Sequence, residues 1–413
     1  MIRYGQRVFQ VVSQLQRGFD PRARFEISQA VTLFVLFMGF LMRVTSLEQL
    51  ERMVQAGEFA KWVPRNTRLP SVDTMRRILS GCDVPALHES LTAFVRKAIR
   101  NKAFRGGTIG GLVVAAVDGT ELFASTAKQC AQCLHRTHDG VTQWFHRMVV
   151  CSIVGAGPRL VLGMRMQRPR EGWRKQEGEL TAATALLRDL YTRLHHFADV
   201  LVMDALYVSR PILEMVKKEL HMDVVIRVKQ ETYTFVQDAL GLMRRRAADL
   251  TFEVREKATR ITVQGWQEFD LLWEPLGIPL RFLWFEEIHT PQGARSARKA
   301  KRHKMWVVTT LGREVSAQVV WEIMHARWDL ENSGFHQLTT YHHLDHCYLH
   351  HEVGTEAWVL LMLLAYNLWQ MFLYRHVRGF VQSGMAIVAV WEAMMRQWAR
   401  MRRSQALYLW GTG

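Results

Sequence analysis

Between residues 112 and 228 three apolar runs come first, with no helical segment between them, and two more follow, each after a helical segment. The first three are Leu112–Val117 (LVVAAV), Met148–Ile153 and Leu160–Met166. Short continuous apolar runs of this kind suit buried strands. Gly155 and Gly157-Pro158 mark a turn between the second and the third. Glu177–His196 then sets Leu180, Ala183, Leu187, Leu190 and Leu194 at helical spacing. Val200–Met203 reads as a strand, Val208–Leu220 as a helix and Met222–Val228 as a strand. The early strands form a meander, and strands added through helices cross over and pair in parallel.

That order is the order of the RNase H-like fold. A dinucleotide-binding fold is disfavoured, because no G-x-G-x-x-G follows the first strand and no early crossover helix is present. The expected fold class is α/β: an RNase H-like catalytic domain interrupted by a mainly β insertion, with an N-terminal all-helical domain and C-terminal helices. The expected boundaries are 1–108 for the N-terminal helical, DNA-binding domain, 109–228 for the first catalytic part, 229–310 for the insertion, and 311–413 for the last catalytic helix and the helices after it. In the N-terminal part Phe25–Met42, Ser71–Ser80 and Leu87–Ala103 read as helices, and Ser46 with Gln49 is a capping-box pattern. Arg96, Lys97, Arg100 and Lys102 give the last of these a basic face. Such faces suit a helix-turn-helix-like DNA-binding unit, and they suit a scaffold with solvated arginines equally well. In the insertion Thr251–Arg255, Ile261–Trp266 and Leu280–Ile288 read as strands, and Met305–Thr310 as one more. Ser316–Tyr341 reads as one long helix, followed by helices at Ala357–Arg375 and Ile387–Arg403.

Lys plus Arg exceeds Asp plus Glu by 54 − 38, a net charge of +16. That excess points to a polyanion, with nucleic acid first and anionic membrane second. With 49% hydrophobic residues the chain is not disordered. Five cysteines in 413 residues do not make a secreted disulfide framework. Ala30–Met42 is too short to span a membrane, and Ala357–Tyr374 carries Asn367 and Gln370, so both read as buried helices. No signal peptide is read at Met1–Gln16. The expected setting is a cytoplasm, with nucleoid association if the source is bacterial, and no membrane partner.

Asp118 follows the first strand in VVAAVDGTE, Asp204 ends the fourth in VLVMDALY, and Glu331 lies in ARWDLENSGF. An aspartate just past an apolar strand is costly unless solvated, paired or metal-bound. Two such residues and a facing glutamate make an all-oxygen site for Mg²⁺ or Mn²⁺. The segments DGTE at 118–121, DALY at 204–207 and RWDLEN at 327–332 resemble the three signature regions of DDE-type insertion-sequence transposases. EGELTAATALL at 177–187 and FHQLTTYHHLDH at 335–346 add to that resemblance, which runs in order over about Gly110–Phe372. The branch it resembles carries Tyr-x2-Arg-x3-Glu-x6-Lys around the glutamate. Here Arg327 and Glu331 are present, whereas Met324 and Leu338 stand at the Tyr and Lys positions.

The resemblance implies two Mg²⁺ ions, replaceable by Mn²⁺, held by Asp118, Asp204 and Glu331. It implies a phosphate contact for Arg327, although an i,i+4 pair with Glu331 fits the same spacing. The implied substrates are double-stranded DNA at terminal inverted repeats and target DNA, handled by a homodimer. The implied chemistry is phosphodiester hydrolysis followed by strand transfer. An RNase H-like nuclease without strand transfer, or a catalytically silent DNA-binding descendant, would share much of this sequence.

Three further features carry expectations. Gly293–Lys304 reads as a loop with six basic residues, Arg295, Arg298, Lys299, Lys301, Arg302 and Lys304, expected to contact the DNA backbone. Cys130-x2-Cys133-x-His135-x2-His138 follows the first strand, and His343, His346, Cys347, His350 and His351 crowd a second segment. Thiolate and imidazole at these spacings suit a tetrahedral zinc site, of which Cys130 and Cys133 alone are half. Reduced cysteines and surface histidines fit these residues too. Trp266, Trp273 and Trp284 fall in the insertion, where transposases of similar build handle flipped or frayed ends.

Overall fold

The strands, in chain order, are β1 (Val114–Ser125), β2 (Leu134–His138), β3 (Val141–Ile153), β4 (Val161–Met166), β5 (Pro169–Arg170), β6 (Lys175–Gln176), β7 (Val200–Met203), β8 (Asp223–Val228), β9 (Leu250–Glu256), β10 (Thr259–Leu272), β11 (Pro279–Pro291) and β12 (Lys301–Thr309). The computed structural model describes residues 1–16, 26–171, 175–256, 259–273, 276–292, 300–401 and 410. The chain divides into two compact units, one of residues 1–106, 119–194 and 331–413, the other of residues 107–118 and 195–330. Strand β1 runs through both.

In the unit of residues 107–118 and 195–330, β7 lies between β1 and β8, and both pairings are parallel. Val200–Met203 is wholly buried, as the two-sided burial of parallel strands demands. Beyond β8 the sheet continues antiparallel through β12, β11 and β10 to β9. The residues expected to form a mainly β insertion thus continue the sheet that β7 and β8 belong to. The join is apolar: Trp306–Thr309 pair with Val225–Val228. A helix at Thr234–Met243 accompanies these strands, which the sequence reading did not anticipate.

In the other unit β3 lies between β4 and β1, and β2 pairs with β3. The fold is mixed α/β with a large mixed sheet, as the expected fold class has it. The helix Glu179–Leu194 packs on β3 and β4. The helix Gly354–Arg375 packs against Gln29–Leu41, Val72–Ser80 and Val84–Arg100. It is long and apolar enough to cross a membrane, yet 89% of its most apolar window is buried inside the fold. Asn367 and Gln370, two of its polar residues, find partners inside the fold. Asn367 Nδ2 donates to the Val161 carbonyl at 2.8 Å and its Oδ1 accepts from Val161 N at 2.9 Å, so it pairs with backbone that β4 would otherwise leave open. Gln370 Oε1 accepts from Arg159 N at 3.3 Å.

Residues 1–106 are helical as expected, and they belong to the same compact unit as the long buried helix. Ser46 caps Leu47–Gln55 by accepting from Gln49 N at 3.1 Å, and Gln49 Oε1 accepts from Thr45 N at 2.6 Å. The helix expected from Phe25 begins at Gln29 behind a Ser28 cap, with Phe25 itself outside the described residues. The continuous helix expected over Ser316–Tyr341 is broken. It comprises an α-helix at Ala317–Ala326, a π-helical turn at Leu330–Phe335 and a short α-helix at His336–His342.

Candidate active site

Asp118 and Asp204 are positioned by strand register. The parallel ladder matches Val114 with Val200, Ala115 with Leu201 and Ala116 with Val202, a constant offset of 86. Asp118 and Asp204 differ by the same 86. Asp118 lies on β1 two residues past the last paired position, and Asp204 follows the last residue of β7, so each comes just beyond the parallel-paired stretch of its strand. Burial relents at this point: Val114–Val117 are buried and Asp118 is part-exposed, while Val200–Met203 are buried and Asp204 is part-exposed. Two carboxylates emerging together at the end of an apolar layer form an oxygen donor set that fits Mg²⁺ or Mn²⁺.

Each carboxylate is restrained. Asp204 Oδ1 accepts from Leu206 N at 2.8 Å, capping the short helix Ala205–Tyr207, and Lys229 Nζ stands 3.9 Å from its Oδ2. Asp118 Oδ2 accepts from Arg327 Nη1 at 3.2 Å. The Arg327 side chain is only 7% exposed, so this is a sheltered pair rather than a surface one. After Asp118, Gly119 leaves room for Glu179: a Cβ there would collide with the Glu179 carboxylate. Glu179 was not singled out in the sequence. Its signal was the resemblance of the segment it lies in, EGELTAATALL at 177–187.

Glu331 is exposed and lies in the π-helical turn Leu330–Phe335. Such turns interrupt helices most often where a side chain is being aimed for function. Met324 and Leu338, which stand at the motif's Tyr and Lys positions, are 0% and 1% exposed. They are core residues here.

The basic segment divides. Arg295, Arg298 and Lys299 lie outside the described residues. Lys301, Arg302 and Lys304 are exposed, but on β12 rather than in a loop, because Lys301–Thr309 pairs with β11 from His289 to Arg281. Lys304 Nζ is 3.0 Å from Glu286 and 5.2 Å above the Trp284 ring. Trp266, Trp284 and Trp306 are in register across β10, β11 and β12. Trp266 and Trp284 stack with centroids 4.7 Å apart. Beside them an open groove of 510 Å³ is lined by Arg227, Lys229, Arg244, Trp284, Lys304 and Trp306, among others. Trp273 lies apart from this row, in edge contact with Tyr233.

The cysteine expectation acquires partners. Cys130, Cys133, His146 and His350 place one ligand atom each within 4.8 Å of one another. His146 comes from β3 and His350 from the segment before the helix Gly354–Arg375. His135 and His138, the nearer histidines in sequence, are on β2 and outside this group. Cys133 and His146 are 0% and 1% exposed. A hydrogen bond with Cys133 leads the causes that hold the Cys130 thiol far below its ordinary range, and the same bond, with burial, pushes Cys133 up. The spacing Cys-x2-Cys-x12-His was visible in the sequence. The fourth ligand, 204 positions beyond His146, was not distinguishable from its histidine neighbours.

Comparison with known proteins agrees with the chain order. A family model described as a transposase DDE domain matches residues 110–368. No curated protein sequence matches. Among solved structures, the cryo-EM structure of a piggyBac transposase synaptic complex with hairpin DNA is similar at a TM-score of 0.46 and 9% identity, over 95% of this chain and 78% of that one.

Proposed function

The chain belongs to the transposase DDE-domain family, and from that premise we propose that it is a DNA transposase that binds the terminal inverted repeats of its element, cleaves at those ends and joins the 3′-OH to target DNA. The observation that supports this best is that Asp118 and Asp204 stand just past the parallel pairing of β1 with β7 and share its offset of 86, inside the matched residues. These two carboxylates would hold the divalent metal, Mg²⁺ with Mn²⁺ as substitute, and Glu331 joins them through the sequence resemblance. When bound, two such ions supply charge stabilisation to the attacking and leaving oxygens of an in-line phosphoryl displacement.

The chain's own residues prepare that chemistry. Strands β1 and β7 fix the carboxylates on rigid elements. Arg327 holds the Asp118 carboxylate in one orientation through a charge-assisted hydrogen bond. Lys229 beside Asp204 offers a cation to a DNA phosphate, and Lys301, Arg302 and Lys304, with Arg295, Arg298 and Lys299, extend the backbone contact. The net charge of +16 supports duplex DNA as the partner. A homodimer on DNA would bring two ends together. Incubation of the chain with linear DNA carrying the flanking element ends and Mg²⁺, read on a sequencing gel, tests the reading. Nicks at the end junctions and strand-transfer products are expected. Intact DNA in Mg²⁺ and in Mn²⁺ would overturn it, and nicks without joined products would leave a nuclease.

A further inference from the structure

We propose that Cys130, Cys133, His146 and His350 bind one zinc ion in a closed, structural site. Three of the ligand separations match those of a tetrahedron, and a fourth is shorter. With Zn–S near 2.3 Å and Zn–N near 2.0–2.1 Å, tetrahedral ligands stand roughly 3.8 Å apart for two sulfurs and roughly 3.5 Å for sulfur and nitrogen. Cys130 Sγ and Cys133 Sγ are 3.7 Å apart. His146 Nε2 is 3.4 Å from each sulfur, and His350 Nε2 is 3.0 Å from Cys133 Sγ. A disulfide would need its sulfurs at about 2.05 Å, well inside the 3.7 Å found here.

The chemistry of the set selects the ion. Two thiolates and two imidazoles suit zinc and exclude the hard cations that carboxylates hold. Four protein ligands leave no open position, so the site ties chain segments together and has no catalytic vacancy. Those segments are the turn before β2, the middle of β3 and the residues entering the helix Gly354–Arg375. Phe123 packs against both imidazoles, with centroids 5.4 Å from His146 and 5.3 Å from His350. A cross-link between residues 204 positions apart closes a long loop, the arrangement in which a metal contributes most to folding.

The test uses untagged full-length chain, purified without chelators, with zinc measured by mass spectrometry. About one zinc per chain is expected. Cys133→Ser and His350→Ala should each remove it, while Cys347→Ser, which changes an exposed cysteine outside the four, should retain it. If the ligand variants do not fold, exchange of the wild-type metal for Co²⁺ gives the answer. Tetrahedral d–d bands with thiolate-to-metal charge transfer are then expected. Wild-type protein that carries no zinc and takes up no Co²⁺ overturns the proposal. So does loss of the metal in Cys347→Ser, or a Cys130–Cys133 disulfide in freshly isolated chain. None of these outcomes depends on DNA cleavage.

Discussion

Arg327 reaches from the end of one helix to Asp118 on β1, its Nη1 donating to Oδ2 at 3.2 Å. From the sequence, its four-residue spacing from Glu331 suggested either an ion pair on one helix face or a phosphate contact. The α-helix ends at Ala326 and the π-helical turn that holds Glu331 begins at Leu330, so the two residues do not share one continuous α-helix. A sheltered guanidinium beside a carboxylate favours the charged carboxylate and restricts its rotamers. In the proposed site Arg327 would position Asp118.

The acidic residues should separate cleavage from binding. Asp118→Asn, Asp204→Asn and Glu331→Gln should each lower strand cleavage by about 10²–10³-fold or more. Duplex affinity should be unchanged, because it comes mainly from Lys and Arg on phosphates. Asp118→Asn should also cost about 1–3 kcal/mol of stability, since Arg327 loses a charged partner in a sheltered place. Asp204→Asn should cost less, its carboxylate being more exposed. Gel assays with filter binding and denaturant unfolding of the three variants check this, and full cleavage by any one removes that residue from the site.

Much of this site was legible because strand order and strand ends are local signals. Val200–Met203 coincides with β7, and the offset between Asp118 and Asp204 is the register itself. Other features were hidden because they depend on distant pairing. Lys301–Lys304 looked like a loop, since four polar residues carry no strand pattern, yet β11 supplies the hydrogen bonds that make them one. Glu331 looked helical because π-helical turns leave no mark in apolar periodicity. Leu338 and Met324 departed from the family motif, and both prove to be core residues.

The exposed end of β12 should contribute to DNA binding through charge. Lys301→Gln with Arg302→Gln should lower the slope of log K against log salt by about 2, at about 0.9 per phosphate contact. Affinity should fall equally for end DNA and unrelated DNA. Lys304 is held by Glu286 and Trp284, so adding Lys304→Gln should change the slope by less than either of the others. Binding constants across a salt series decide the matter, and coincident slopes would place β12 outside the DNA path.

The tryptophan row predicts a preference for unstacked bases. Trp284 and Trp306 line the same groove as Arg227, Lys229 and Arg244. Stacking of a base on an aromatic face contributes about 1–3 kcal/mol. Trp306→Ala should weaken binding of DNA with unpaired end bases by that amount and leave fully paired duplex nearly unaffected. Equal losses on both substrates would assign Trp306 to the sheet alone.

Acid should destabilise the fold through His342 before it reaches the carboxylates. The ring is 2% exposed, and its Nδ1 lies 3.1 Å from the Phe40 carbonyl. Burial first, then the nearby Arg43, depress its pKa from 6.5 to about 3. A histidine with a depressed folded pKa binds its proton in the unfolded chain first. Stability is therefore complete above about pH 6.5 and declines as pH falls from there toward 3, by up to about 1.4 kcal/mol per pH unit. Glu287 acts in a lower window. Burial alone would raise its pKa, but hydrogen bonds from His325, His289 and Trp321 outweigh that and hold it near 2, so its contribution is lost only below about pH 4.5. Between pH 6.5 and 4.5 the difference between wild type and His342→Gln isolates the histidine, and common effects cancel. The glutamine amide can still donate to the Phe40 carbonyl. Denaturation midpoints of both proteins at several pH values should show a shallower acid decline in the variant, and parallel profiles would mean that His342 takes up its proton in the folded state.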